Sequence, residues 1–257
     1  MPARLVLTAL PGIPLVSPGD HLGKLILDGL QRAEVELEHG DVLVVTQKIV
    51  SKAEGRLVSL AQVEPSPEAR RLAQESEKDP RLVEVILRES RRVLRVRPGL
   101  IIVEHRLGFV CANAGIDHSN VRGEGGEAED WVLRLPLDPD ASAQRLRQEL
   151  VDASGVQLAV LIIDSHGRAW RQGTVGVAIG AAGFPALLDL RGRPDLFGYR
   201  LRVTQVGLAD EVAAAASLLM GQADESRPVI HLRGLPYPLR EGSAAELLRP
   251  ESQDLFR

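Results

Sequence analysis

Short apolar runs alternate with amphipathic segments along most of this chain, and that alternation limits its possible folds more than any other feature. Residues 5–8 and 41–46 have the length and apolar content of short strands, and residues 157–163 form a longer run typical of a buried strand. Between the first two runs, residues 20–33 place apolar side chains at helical spacing. Strands that alternate with helices predict a mixed α/β fold.

Two helix starts are marked by capping residues. Ser66-Pro67 and Asp79-Pro80 each place a side-chain acceptor before a proline that suits the first helical position. They predict two helices between residues 69 and 92. The other predicted elements are a hairpin of strands 100–104 and 108–112 turning at His105-Arg106, a long loop over 115–139, helices over 140–152 and 209–220, and a last strand over 228–232.

Length and composition exclude several classes of protein. The 257 residues suffice for one large domain or two modest ones, and no break in composition divides them, so residues 1–257 are treated as one domain that leaves room for two sub-lobes. A net charge of -4 and 3% aromatic residues do not suit nucleic acid binding. With Cys111 as the only cysteine and no signal peptide or membrane span in the sequence, we expect a cytoplasmic protein.

Familiar nucleotide-binding signatures are incomplete. Residues 19–25 resemble a phosphate loop but have three residues between the glycines and Leu25 where a Ser or Thr should bind magnesium. The glycine- and alanine-rich residues 176–183 do not form the pattern of dinucleotide-binding folds, and close backbone packing is the simpler interpretation.

Two of the four lysines, Lys48 and Lys52, lie four residues apart directly after the strand at 41–46. Two ammonium groups on one face repel each other unless an anion or acidic side chains lie between them, and Glu54 is one candidate partner. A polyphosphate would satisfy both lysines. A solvated basic face explains the spacing equally well.

Two aspartates adjoin predicted strands. Asp117 lies where the chain leaves a strand for the long loop, and Asp164 closes the predicted strand at 157–163. Carboxylates in such places can bind Mg²⁺ or Mn²⁺, although a turn or a cap explains each one taken singly.

Other polar residues have structural interpretations. We expect His118 and His166 to lie outside the site and Cys111 to be a buried inert thiol. Asp210-Glu211 should interact favourably with the dipole at the start of the alanine-rich helix.

At these positions the sequence resembles the coenzyme F-420-0:L-glutamate (gamma-glutamyl) ligases. The matching segments follow family order over almost the whole chain, so the match is more specific than any single motif. They are DVLVVTQKIVSKAEGR (41–56), GFVCANAGIDHSNV (108–121), LPLDPDASA (135–143), IIDSHGRAWRQGTVGVAIGAAG (162–183), DLFGYRLRVTQVGLADEVAAAASLLMGQ (195–222) and PVIHLRGL (228–235).

The resemblance implies a GTP-dependent ligase with the family's α/β mixed-sheet fold, assembled as an intertwined homodimer. Such an enzyme attaches L-glutamate to the deazaflavin precursor F-420-0, and adds further gamma-linked glutamate, through an acyl phosphate with release of GDP and phosphate. The resemblance also implies two divalent ions, either Mn²⁺ or Mg²⁺, and is compatible with K⁺ as a further cofactor. A C-terminal flavin reductase-like domain, which some relatives carry, is not expected in this chain.

The resemblance also assigns residues to roles. Asp117 and Asp164 correspond to the ligands of one metal ion, and Ser165 and Gln222 to those of a second. The catalytic residues are Asp117, Asp164 and Lys52. Gln222 stands where relatives can have glutamate, so the second ion is expected to depend on nucleotide phosphates. Arg168 and Arg171 are assigned to phosphate or carboxylate binding. The positions that correspond to GTP contacts are Ile13, Pro14, Leu15, Val16, Gln47, Lys48, Lys52, Asn120, Met220, Gly221, Gln222, Ala223, Asp224, Glu225, Ser226 and Arg227.

Two other functions stay open at this point. One is a regulatory module that binds nucleotide and metal without turnover. The other is an amide ligase that acts on the carboxylate of a different cofactor. The acceptor-binding residues, which would decide the latter, are not apparent in the sequence.

Overall fold

The computed structural model describes residues 3–123 and 130–254. Its helices are α1 (Leu22–Arg32), α2 (Gln47–Ala53), α3 (Pro67–Ser76), α4 (Pro80–Arg88), α5 (Pro139–Ser154) and α6 (Leu208–Met220). Its strands are β1 (Val6–Ala9), β2 (Val42–Thr46), β3 (Leu57–Ser59), β4 (Ser90–Arg97), β5 (Leu100–His105), β6 (Val110–Ala112), β7 (Trp131–Leu133), β8 (Ala159–Arg168), β9 (Arg171–Ala182), β10 (Leu188–Asp189), β11 (Gln205–Val206) and β12 (Val229–Arg233).

A five-stranded mixed sheet forms the centre, with the strand order β1-β12-β2-β8-β9. Strands β2 and β8 are parallel, and the other neighbouring pairs are antiparallel. A parallel pair needs a long crossover connection. Here the crossover is the chain between β2 and β8, which folds into a second packed region.

Both faces of this sheet are buried. Along β2, Leu43 and Val45 join the core beneath α1 and α5, whereas Val42 and Val44 join the core beneath α6. This two-sided burial explains why β2 appears in the sequence as an unbroken apolar run instead of an alternating one. Each of these fully buried side chains stabilises the fold by about 2 kcal/mol.

The second packed region lies between β2 and β8 in the chain. Helices α3 and α4 pack on the three-stranded sheet β4-β5-β6, and β3 pairs with β7 beside them. Both predicted caps are present: Ser66 Oγ accepts a hydrogen bond from Ala69 N (3.2 Å), and Asp79 Oδ1 accepts one from Arg81 N (2.7 Å). The hairpin predicted at His105-Arg106 is the β5–β6 pair.

The structure corrects three of the boundaries expected from the sequence. The second helix of the pair ends at Arg88, and Ser90–Arg97 is a strand. The long loop over 115–139 contains β7, while residues 124–129 lie outside the described residues. Asp164 does not close its strand, because β8 continues to Arg168 and returns as β9.

Glycines in β9 let two helices approach the sheet closely, as the sequence predicted. A Cβ at Gly176 would lie 2.5 Å from the carbonyl oxygen of Ala213 in α6, and a Cβ at Gly180 would overlap the Pro139 carbonyl of α5. Within the described residues, no helix combines the length and apolar character needed to cross a membrane.

Candidate active site

A cavity of about 550 Å³ opens where β2 ends and α2 begins. Strands β2 and β8 are parallel neighbours, so the end of β2 and the middle of β8 meet at one edge, as in many α/β sites. The lining residues come from five parts of the chain: 13–16, 46–52, 111–120, 163–174 and 217–228.

The fold brings nearly all of the predicted site residues to this cavity. Both lysines, both aspartates, Ser165, Asn120, residues 13–16 and residues 220–227 line it. Gln47 is fully buried and does not line the cavity, but its Nε2 donates a hydrogen bond to Asp117 Oδ2 (2.6 Å). Gln47 therefore acts on the site through Asp117.

The two lysines face the cavity and not bulk solvent. Lys48 Nζ lies 2.5 Å from Asp117 Oδ2, and Lys52 Nζ donates to the carbonyl oxygen of Asn120 at 2.8 Å. Burial lowers the pKa of Lys52, and the charge of Lys48 lowers it further. Glu54, the acidic partner considered from the sequence, instead binds Arg145. Both lysines therefore lie at one cavity wall, where Lys48 already has an acidic partner in Asp117.

The two aspartates come from separate parts of the chain and are close enough to repel each other. Burial and the charge of Asp164 raise the pKa of Asp117, whereas Lys48 lowers it, and the net shift is upward. Burial also acts to raise the pKa of Asp164, but the hydrogen bond and charge of His166 outweigh it and the pKa lies below its usual value. A cation between two such carboxylates would relieve their repulsion.

Asp117 is fixed by backbone pairing and by an unusual turn. Its N–H and C=O both pair with Leu133 at 2.9 Å. Just before it, Asn113, Ala114 and Gly115 have φ values of +49°, +53° and +63°, so three consecutive residues are left-handed. Two of these are not glycine, which is costly backbone geometry of a kind that concentrates at functional sites.

The oxygen atoms at the site suit a divalent ion. Besides the two carboxylates, Ser165 Oγ and Gln222 Oε1 lie 2.8 Å apart on the cavity wall. All four groups are hard oxygen donors of the kind that Mg²⁺ and Mn²⁺ prefer. Among the residues that the structure describes, no cluster of three or more His, Cys, Asp or Glu side chains could hold a metal. Ions here would therefore need further oxygen ligands from a phosphate or from water.

His166 is a site residue that the sequence did not reveal. Its Nε2 lies 3.0 Å from Asp164 Oδ2, so the expectation that both histidines lie outside the site is wrong for this one. The spacing of Asp164 and His166 could have indicated this contact, because residues two apart on a strand share a face. His118 is exposed and does not line the cavity.

Two loops are tied together across the cavity. Asn120 Nδ2 donates to the carbonyl oxygen of Ala223 (2.9 Å), and Glu225 Oε2 accepts from Ala223 N (2.8 Å). Arg168 and Arg171, by contrast, lie at the exposed tip of the β8–β9 hairpin and are not among the lining residues.

Cys111 and Asp210 were predicted to be structural residues, although Cys111 lies in the lining of this cavity. Burial raises the pKa of Cys111 to about 12, so the thiol is protonated and unreactive, as the sequence predicted. Asp210 lies in the first turn of α6, and its Oδ1 accepts a hydrogen bond from Ala178 N in β9 (2.9 Å). It thus links helix to sheet in addition to favouring the helix dipole.

Comparison with known proteins identifies the family of this chain. Residues 12–234 match the family model described as "F420-0:Gamma-glutamyl ligase". A relative from Methanothermobacter thermautotrophicus, named "Coenzyme F420:L-glutamate ligase", is 48% identical over 98% of this chain and 98% of its own length. Relatives of the same name from Methanopyrus kandleri and Archaeoglobus fulgidus are 50% and 41% identical, covering 94% and 99% of this chain and 93% and 97% of their own lengths. The chain belongs to the F420-0:gamma-glutamyl ligase family.

Proposed function

We propose that this protein is a GTP-dependent ligase that joins L-glutamate to F-420-0 and then extends it with gamma-linked glutamate. The observation that carries the proposal is the single cavity in which two lysines and two carboxylates converge from distant parts of the chain. Family membership and the names of the relatives supply the substrates. Activation of a carboxylate by phosphoryl transfer uses such a set of charges.

The lysines of α2 bind the phosphates in this proposal. Lys48 and Lys52 lie on adjacent turns of one helix and both reach the cavity, so their ammonium groups can offset charge on the same triphosphate. Residues 13–16 and 220–227 also line the cavity and are assigned to the nucleoside. Gln47 and His166 hold the two aspartates in place by hydrogen bonds.

Asp117 and Asp164 would hold one divalent ion, and Ser165 and Gln222 a second. When bound, Mg²⁺ or Mn²⁺ at these oxygens supplies positive charge that stabilises the transferring phosphoryl group. Because only two of the four groups are carboxylates, the second position depends more on the nucleotide than the first.

The reaction then proceeds in two transfers. A carboxylate oxygen of F-420-0 attacks the γ-phosphorus of GTP, and the bond from that phosphorus to the β-phosphate oxygen breaks. GDP is released, and F-420-0 carries an acyl phosphate. The amine of L-glutamate attacks the acyl carbon, the carbon–oxygen bond breaks, and phosphate leaves as the amine loses its proton. The enzyme contributes charge and position and forms no covalent bond itself.

Asp164→Asn tests this assignment. The substitution removes the charge but keeps the shape, so we expect turnover to fall by more than about 100-fold while the melting temperature changes little. The assay follows glutamylated F-420-0 by mass after incubation with GTP, L-glutamate and Mg²⁺ or Mn²⁺. Asp152→Asn, on the exposed side of α5, is the matched control.

The assay also separates the other two functions. Near wild-type activity of Asp164→Asn would refute the role of Asp164. Binding of GDP and metal by the wild type without any glutamylated product would identify a regulatory module. GTP hydrolysis that is coupled to a different carboxylate in a substrate panel would identify an amide ligase with another acceptor.

A second copy of the chain is the proposed partner. Residues 188–206 form an arm closed by β10 and β11, on which Leu196, Phe197 and Val203 are 97%, 95% and 85% exposed. Apolar side chains so exposed on neighbouring positions are typical of an interface. They support the homodimer that the family resemblance implies.

A further inference from the structure

A second cavity, of about 250 Å³, adjoins the first one. His166 and Gly167 line both cavities, so the imidazole that binds Asp164 forms part of the wall between them. The proposed reaction brings together three reactants, and the first cavity is assigned to the nucleotide. A reactant in the second cavity would lie beside the phosphoryl transfer site.

The walls of the second cavity are mainly apolar. Val177 and Ile179 of β9 form one side, and Leu247 and Leu248 form another. Phe109 completes the wall and is held between two imidazoles. Its ring stacks on His105 with centroids 5.1 Å apart and an interplanar angle of 7°, and it contacts His166 at 5.3 Å. This wall exists before any ligand arrives, which lowers the free-energy cost of binding.

The polar groups in the cavity accept hydrogen bonds and carry negative charge. Asp138, Asp140 and Asp210 line it, and each uses one carboxylate oxygen to accept from a backbone N–H. No Lys or Arg side chain occurs among the described residues that line it. Anions are therefore disfavoured here, because three fixed carboxylates repel them.

This charge pattern discriminates among the reactants. GTP is a polyanion, and L-glutamate keeps a net negative charge because it has two carboxylates and one ammonium group, so neither suits a cavity whose described lining has three Asp and no Lys or Arg side chains. A deazaflavin acceptor contains a flat, fused ring system with apolar faces, and N–H and O–H groups on such a ring can donate to carboxylates. The volume is small for an entire cofactor precursor and suits the ring portion alone.

We propose that the cavity walled by Phe109, Val177, Ile179 and Leu247 binds the deazaflavin ring of the acceptor. The carboxylate of the acceptor then extends past His166 and Gly167 into the first cavity, where the nucleotide is bound. This inference rests on the proposed function, because it assumes that a deazaflavin is the acceptor. It adds the residues that recognise the ring, which the sequence did not reveal.

Filling the cavity tests the inference. Ala245 lines it at an exposed position, so Ala245→Trp fills space without disturbing the core, and Ala245→Leu is a milder version should the first not fold. We expect Ala245→Trp to raise both the Kd of F-420-0, measured by deazaflavin fluorescence without nucleotide, and its KM by about tenfold or more. The KM values of GTP and L-glutamate should stay within about twofold. Leu218→Trp, at an exposed position outside both cavities, is the matched control.

A deazaflavin that lacks the carboxylate supplies the second measurement. It should compete with F-420-0 in the wild type and compete about tenfold less well in Ala245→Trp. Unchanged F-420-0 binding in a folded, cavity-filled variant would overturn the inference and leave the proposed function standing. Wild-type protein that binds the deazaflavin but forms no product would refute the proposed function and leave the ring site standing.

Discussion

His105 is a fully buried imidazole in a cationic environment. Burial lowers its pKa from 6.5 to about 4, the charge of Glu89 opposes this shift, and the charges of Arg106 and Arg56 add to it. Glu89 is the centre of this group, because it forms ion pairs with Arg56, Arg106 and Arg134. The imidazole is therefore neutral in the folded protein at neutral pH.

This shift predicts a pH dependence of stability. Because the folded-state pKa lies below the unfolded value, the unfolded chain binds more protons between pH 6.5 and pH 4, and the free energy of unfolding falls as the pH drops through that window. The loss from this residue should reach about 3 kcal/mol at pH 4. Urea unfolding of the wild type and of His105→Asn, which keeps an acceptor for Leu107 N, measures the difference. Parallel pH profiles for the two proteins would contradict the assignment.

At the scale of secondary-structure elements, local signals predicted well wherever one residue type determines the geometry. Ser66 and Asp79 identified two helices through caps that depend only on neighbouring residues. Strand β4 was missed because its exposed arginines do not alternate cleanly with apolar residues, and two register shifts interrupt its pairing with β5. Two of these arginines form ion pairs with acidic residues that are distant in the sequence: Arg91 and Arg92 with Glu104, and Arg92 also with Glu251.

In the candidate site, too, local relations were predictable and long-range contacts were not. The four-residue spacing of Lys48 and Lys52 was enough to place them on one face, since a helix fixes that relation. The meeting of Asp117 with Asp164 depends on the pairing of Asp117 with Leu133 and on the β2–β8 register, which no local pattern reports. The second cavity is formed by residues from several distant segments, and no local sequence pattern indicates it.

Close packing of α6 on β9 yields a prediction for a single methyl group. Gly176→Ala places a Cβ against the Ala213 carbonyl and 2.8 Å from Ser217 Cβ, so we expect a loss of about 1–3 kcal/mol in the free energy of unfolding. Gly176 also pairs with Ser165, so a shift of β9 should weaken activity as well. Gly167→Ala, where a Cβ meets nothing within 4 Å, is the control for stability. Equal unfolding midpoints for the two variants would refute the packing argument.

At the scale of the whole molecule, the exposed arm predicts self-association. Phe197→Glu places a charge on the most apolar part of residues 188–206, so it should convert a wild-type dimer to a monomer at micromolar concentration. Light scattering coupled to size-exclusion chromatography measures the mass directly, with Leu218→Glu, the same kind of apolar-to-acidic change at an exposed position outside the arm, as the control. A monomeric wild type would contradict the proposed partner.

The cavities, the lysine pair and the family membership together support the central proposal, that the protein activates a carboxylate of F-420-0 with GTP and transfers the acyl group to L-glutamate. Labelling the acceptor carboxylate with oxygen-18 tests that claim most directly, by the mass of the phosphate released during glutamylation. We predict one labelled oxygen in each phosphate formed per glutamate added, because the carbon–oxygen bond of the acyl phosphate breaks. Glutamylated product accompanied by unlabelled phosphate, or no product at all, would contradict it.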